Sequence, residues 1–143
     1  MKEEKKTENA LKLEATVDNL PRALEFVDEY LEGSGCSFKT QNEIEIAVEE
    51  IFVNIASYAY HPETGEVEIR FELSDDPETA VIILRDQGVE YDPLKKEDPD
   101  VTLPAEERGI GGLGVFMTGQ LMDELEYEYK DGSNILTMKK KLK

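Results

Sequence analysis

The stretch "EEIFVNIASYAY", Glu49 to Tyr60, decides how the chain is read. It is mostly apolar at helical spacing, yet it holds Glu49 and Glu50 at one end and Asn54 in the middle. Asparagine is a poor helix former, and a buried amide without partners costs about 1–3 kcal/mol. The segment closes a longer periodic run, "NEIEIAVEEIFVNIASYAY", expected to be helical from just after Lys39 or Thr40 until Pro62 stops it. At about 100° per residue, Ile44, Val48, Ile51, Ile55 and Tyr58 form a core face. Glu43, Ala47, Glu50, Asn54 and Ser57 form a neighbouring flank. Glu50 and Asn54 therefore point the same way from adjacent turns, while Glu49 faces elsewhere. A carboxylate so placed can accept a proton from an attacking hydroxyl, and an amide oxygen can coordinate Mg²⁺. The plain alternative is a satisfied polar pair at the edge of the core.

Around this helix the pattern is of strands and two further helices. "ALKLEATVDNL" alternates, with Leu11, Leu13, Ala15 and Val17 on one face, as in a strand. Pro21 suits the first turn of a helix with Leu24, Val27 and Leu31 inward, stopped by Gly33 and Gly35. "EVEIRFEL" puts Val67, Ile69, Phe71 and Leu73 on one side, and "TAVIILRD" follows as an almost wholly apolar strand. Residues 91–108 are rich in Pro and charge and read as a mobile loop, with "LGVFMTGQLMDEL" a third helix after it. "ELEYEY" and "NILTMKKKL" flank "KDGS" as a hairpin, and the basic "MKKKLK" end reads as the solvated end of an edge strand. The order β-α-α-β-β-loop-α-β-β points to one α+β domain over residues 1–143. It would be a two-layer sandwich whose mixed, mostly antiparallel sheet carries helices on one face.

Composition narrows the function. With 143 residues the chain is long enough for one hydrophobic core. Its single cysteine, Cys36, cannot form an internal disulfide. The charged start "MKEEKKTENA" has no signal-peptide pattern, and no window is apolar over the length of a membrane span. A cytoplasmic protein is expected, with no membrane partner. The net charge of −17 argues against nucleic acid. A phosphate site here would have to use backbone N–H groups, a helix N-terminus and a divalent cation. The acidity suits a basic protein partner, or simply solubility.

Two more stretches carry chemistry. "DQGVEYDP", residues 86–93, follows directly on the buried strand, and Asp86 could accept a hydrogen bond from an exocyclic amine such as adenine's. Gly88 would let a flat ring approach the backbone, although Asp, Gly and Pro also make ordinary turns. "RGIGGLGVFM", residues 108–117, sets four glycines before a helix, where free N–H groups face an anion. It is neither a Walker A loop nor a dinucleotide fingerprint.

Together, in this order and spacing, the three stretches resemble the N, G1 and G2 boxes of the GHKL superfamily, the Bergerat-fold ATP-binding domains. Within it they are most similar to the small anti-sigma-factor serine kinases, over about Leu11 to Leu142. The resemblance implies ATP and Mg²⁺ as cofactors. It makes Asn54 the metal ligand and Glu50 the general base. Asp86 becomes the adenine contact, with Gly88 beneath the ring and Asp92 among the nucleotide-binding residues of the same box. Residues 94–108 become a lid ending at Arg108, and Gly111, Gly112, Leu113 and Gly114 the phosphate-binding turn. Asn134 takes the small polar position on the late strand that supports the adenine pocket. "GSNIL" stands where many relatives have a Gly-Thr pair, and Ile110 where some kinases have an arginine.

The activity so implied is phosphorylation of a serine on a small anti-sigma-factor antagonist, with a sigma factor or other regulator sequestered on a separate face. The alternative is a nucleotide-dependent protein-binding module with little or no catalysis. The family also allows a homodimer. A sensor histidine kinase fits less well, because the one histidine, His61, sits beside a proline at a helix end.

Overall fold

Alternation and helical spacing resolve into two layers. A computed structural model describes residues 5–7, 9–61, 63–75, 78–92 and 118–142. Its strands are β1 (Lys5–Thr7), β2 (Ala10–Glu14), β3 (Glu66–Asp75), β4 (Glu78–Asp86), β5 (Glu124–Lys130) and β6 (Ser133–Lys141). Two helices, α1 (Leu20–Ser34) and α2 (Phe38–Asn54), lie between β2 and β3. The sheet runs β1-β2-β3-β4-β6-β5, and every pairing among the described strands is antiparallel. The expected α+β sandwich forms, with no parallel pair among the described strands. β1, within the charged start, was not expected as a strand.

Leu11, Leu13, Val67, Ile69, Ile82, Leu84 and Met138 stand on one face of the sheet and are buried with Phe26, Val27, Leu31, Ile44, Val48 and Phe52 of the helices. Tyr30 of α1 joins the layers, stacking on Phe71 of β3 at 5.1 Å between ring centres. α1 has Pro21 in its first turn and ends at Gly35, whose φ of 73° suits a residue without Cβ. α2 starts at Phe38, earlier than expected, because Ser37 caps it by accepting the Thr40 N–H at 3.1 Å.

Four expectations of orientation fail for local reasons. β2 stops at Glu14, so Val17 falls in a 3₁₀ turn (Val17–Asn19) and is exposed. Leu73 lies beyond the last β2–β3 partner pair, Ala10 with Arg70, and is 45% exposed. Ala47, placed on the polar flank of α2, is fully buried. β6 is an interior strand between β4 and β5, so its lysines do not decorate an edge. Lys139 instead meets Glu124 and Glu126 of β5, and Lys140 donates to the Leu121 carbonyl at 2.6 Å. The β5–β6 hairpin forms as expected, with Asp131 and Gly132 at φ of 53° and 78° in its two-residue turn. Of the expected third helix, residues 118–121 are described as helical, and the chain is already a strand at Glu124. No helix among the described residues is long and apolar enough to cross a membrane.

Candidate functional site

α2 does not continue as one helix to Tyr60. It gives way at Asn54 to a single wide π turn, Ile55–Ala59. Such turns hold one more residue than an α turn and shift every later side chain around the axis. Tyr58, expected on the core face, is consequently 44% exposed at the rim of a cavity.

That cavity, of about 410 Å³, lies between the end of α2, the π turn, the last residues of β4 and the β5–β6 hairpin. Ile51, Ile55, Ala59, Leu84, Val89 and Leu136 give it apolar walls. Its volume falls in the range of small-molecule sites. Asn54 reaches it from the helix layer and Asp86 from the sheet layer. No described residue hydrogen-bonds the Asn54 side chain, and no buried side-chain polar atom of the described residues lacks a partner, so this amide is open to the cavity.

Asp86 is 6% exposed, yet only one of its oxygens is used. Oδ1 accepts the Gly88 N–H at 2.8 Å and the Asn134 side-chain N–H at 3.0 Å. Oδ2 has no partner among the described residues and, by the same reasoning, faces the cavity. Burial raises the carboxyl's pKa above its ordinary value, opposed by the hydrogen bonds from Asn134 and Gly88. A desolvated acceptor of this kind favours a ligand that brings an N–H or O–H to it.

Asn134 faces Asp86 across the β4–β6 pairing and is 7% exposed. Its Nδ2 donates to Asp86 Oδ1 and to the Val89 carbonyl at 2.9 Å. Its Oδ1 accepts from the Tyr91 N–H at 3.0 Å and from the Tyr127 hydroxyl. These four bonds occupy both hydrogens and both lone pairs, so Asn134 shapes the cavity by fixing the 86–91 turn.

Other expected residues are placed differently. Gly88 is not part of the cavity wall. A Cβ there would come within 2.2 Å of the Ala59 carbonyl oxygen, so the backbone at the end of the π turn by itself requires a glycine at this position. Glu50 is half-buried one turn before Asn54, with no hydrogen bond or ion pair among the described residues, and it also lies outside the wall. Asp92 is half-buried and outside the wall as well. Arg108, Gly111, Gly112, Leu113, Gly114 and the 94–108 loop lie outside the described residues. Tyr58, Tyr91 and Tyr127 line the cavity without having been singled out. Their signal was weak, because a tyrosine in a helix, turn or hairpin reads first as a packing residue.

Helices on one face of an antiparallel sheet, with a deep cavity where α2 ends and a buried acid opposite, define a two-layer ligand-binding α+β domain. The family of histidine kinase-like ATPase domains matches residues 13–140, and the chain belongs to it. It is 30% identical to the serine-protein kinase RsbW of a Bacillus cereus strain over 109 residues, which is 73% of this chain and 67% of that one. It is 31% identical, with the same coverage, to RsbW of Bacillus mycoides (strain KBAB4). Its fold is similar to the histidine kinase domain from the Erythrobacter litoralis EL346 blue-light activated histidine kinase. That match has a TM-score of 0.52 at 18% identity over 87% of this chain, which spans 60% of the matched one. The Acinetobacter baumannii histidine kinase AdeS matches with a TM-score of 0.52 at 14% identity, over 92% of this chain and 67% of that chain.

Proposed function

We propose that the protein is an ATP- and Mg²⁺-dependent serine-protein kinase that phosphorylates a small antagonist protein and holds a sigma factor or similar regulator on another face. The observation that carries this reading is the pair of unengaged polar groups, the Asn54 amide and Asp86 Oδ2, on the two layers of one apolar cavity. Asp86 Oδ2 accepts the exocyclic amine of adenine, and the apolar walls hold the ring. Guanine, with a carbonyl at that position, would set oxygen against oxygen.

No cluster of three or more His, Cys, Asp or Glu suited to a metal occurs among the described residues. An ion would be held by the Asn54 oxygen together with phosphate oxygens and water, the ligand set Mg²⁺ favours. The bound ion would supply charge neutralisation on the phosphates. The chain's own part is positional. Asn54 fixes the phosphate end and Asp86 the base end, and Glu50, one turn earlier, takes the proton from the attacking serine hydroxyl. The serine oxygen bonds to the γ-phosphorus as the bond to the β-phosphate oxygen breaks, releasing ADP.

Glu50 standing outside the cavity wall favours a second reading, a nucleotide-dependent binding module without catalysis. Glu50→Ala separates the two. With the cognate antagonist as acceptor, the kinase reading expects phosphoserine formation to fall by about 10²-fold or more while ATP affinity holds. Phosphotransfer unchanged by Glu50→Ala contradicts the assigned base, and no transfer by the wild type establishes the module reading.

A further inference from the structure

The turn that follows β4 is held amide by amide. The Gln87 N–H donates to the Tyr60 hydroxyl at 2.8 Å, the Gly88 N–H to Asp86 Oδ1 at 2.8 Å, and the Val89 N–H to the Ala59 carbonyl at 2.9 Å. Two residues later the Tyr91 N–H donates to Asn134 Oδ1 at 3.0 Å. Three of the four anchors belong to elements already assigned to the cavity. Tyr60 does not line it and has no part in the chemistry proposed above.

The hydroxyl of Tyr60 has only one arrangement open to it. A backbone N–H can only donate, so the phenol oxygen accepts from Gln87. A carbonyl can only accept, so the phenol proton goes to the Glu66 carbonyl, 2.6 Å away. Burial raises the pKa of this phenol above its ordinary value, which keeps that proton in place. The ring is fixed too: a Cβ at Gly65 would lie 2.3 Å from it. One side chain thus joins the end of the π turn, the start of β3 and the residue directly after Asp86.

We propose that Tyr60 is a positioning residue: it sets the Gln87 end of the turn and thereby aims Asp86 Oδ2 into the cavity. Its effect on ligand choice rests on the adenine reading given above. Without the hydroxyl, the Gln87 amide is left to water, the peptide plane after Asp86 loses its anchor, and the carboxylate is aimed only by its bonds to Gly88 and Asn134. The ring packing survives in Tyr60→Phe. Gly65→Ala reaches the same end independently, by pushing the ring off its seat.

The test uses the full chain and both variants. Amide hydrogen exchange in the ligand-free protein reports the turn itself. Exchange at Gln87, Gly88 and Val89 should rise about tenfold while amides in the β3–β4 pairing keep their protection. Titration with ATP and with purine riboside triphosphate, which lacks the 6-amino group, reports the aim of Asp86. ATP affinity should fall about tenfold and the analogue's much less, so the preference between them narrows. A tyrosine that served only stability would lower Tm and leave that ratio alone. Unchanged exchange at residues 87–89, or an unchanged ratio in both variants when the wild type prefers ATP, overturns the proposal. Faster exchange in a protein whose wild type does not prefer ATP over the analogue upholds the anchoring by Tyr60 and overturns the adenine reading instead.

Discussion

Asn54 has a side-chain amide that no described residue hydrogen-bonds, at the place where α2 changes to a π turn. A residue kept for packing or capping would lose stability on truncation. Asn54→Ala loses no hydrogen bond and gains about 0.5 kcal/mol of helix propensity, so Tm should hold or rise in a thermal scan. Its ATP affinity should fall far more with Mg²⁺ present than without. Equal loss in both conditions would make Asn54 a simple wall residue. Asp86 makes the complementary case. Its folded-state pKa is raised by burial, so the ionised form carries a penalty that is absent at low pH and fully present above the folded pKa. Asp86→Asn should therefore be more heat-stable than the wild type near neutral pH, and the gap should close as pH falls toward the ordinary carboxylate range. On the proposed adenine contact, the same change replaces the acceptor with an amide and should cost about 1–3 kcal/mol of ATP affinity, measurable by calorimetry. A site residue that destabilises the fold when charged is the signature of a group retained for its ligand.

At the scale of elements, how much the sequence disclosed depended on the range of the cause. Periodicity gave β2, α1, β3, β4 and the β5–β6 hairpin, because each needs only near neighbours and one buried face. The break in α2 was illegible. Ile55 to Ala59 keep helical composition, and the widening answers a partner thirty residues away, the Val89 N–H on the Ala59 carbonyl. Gly88 shows the same limit, since the sequence could flag the glycine but not the backbone it packs against. Gly88→Ala should cost about 1–3 kcal/mol by overpacking, seen as a lower denaturation midpoint with the slope unchanged. The α1–α2 seam offers a test remote from the cavity. Glu45 has its pKa raised, first by burial and then by Asp28, Glu32 and Glu49 around it. Its penalty too is present above the folded pKa and lost below it. Glu45→Gln should raise Tm near neutral pH, and the advantage should vanish on acidification. An advantage that persists at low pH would mean packing, not charge, is responsible.

For the molecule as a whole, the net charge of −17 acts on fold and function together. Self-repulsion among carboxylates opposes the compact state and is screened by salt. Tm should rise between about 0.01 M and about 1 M monovalent salt in thermal scans, and a flat profile would show that the local ion pairs already neutralise the surface. The same charge leaves a nucleotide no attractive field to follow, so the proposed recognition would rest on the cavity and a cation. The decisive measurement is a calorimetric titration of the whole chain with ATP, with and without Mg²⁺, and with GTP in parallel. The account predicts Mg²⁺-dependent ATP binding that GTP does not reproduce and Asp86→Asn weakens. Equal binding of ATP and GTP, or no heat at millimolar ATP with Mg²⁺, would contradict it.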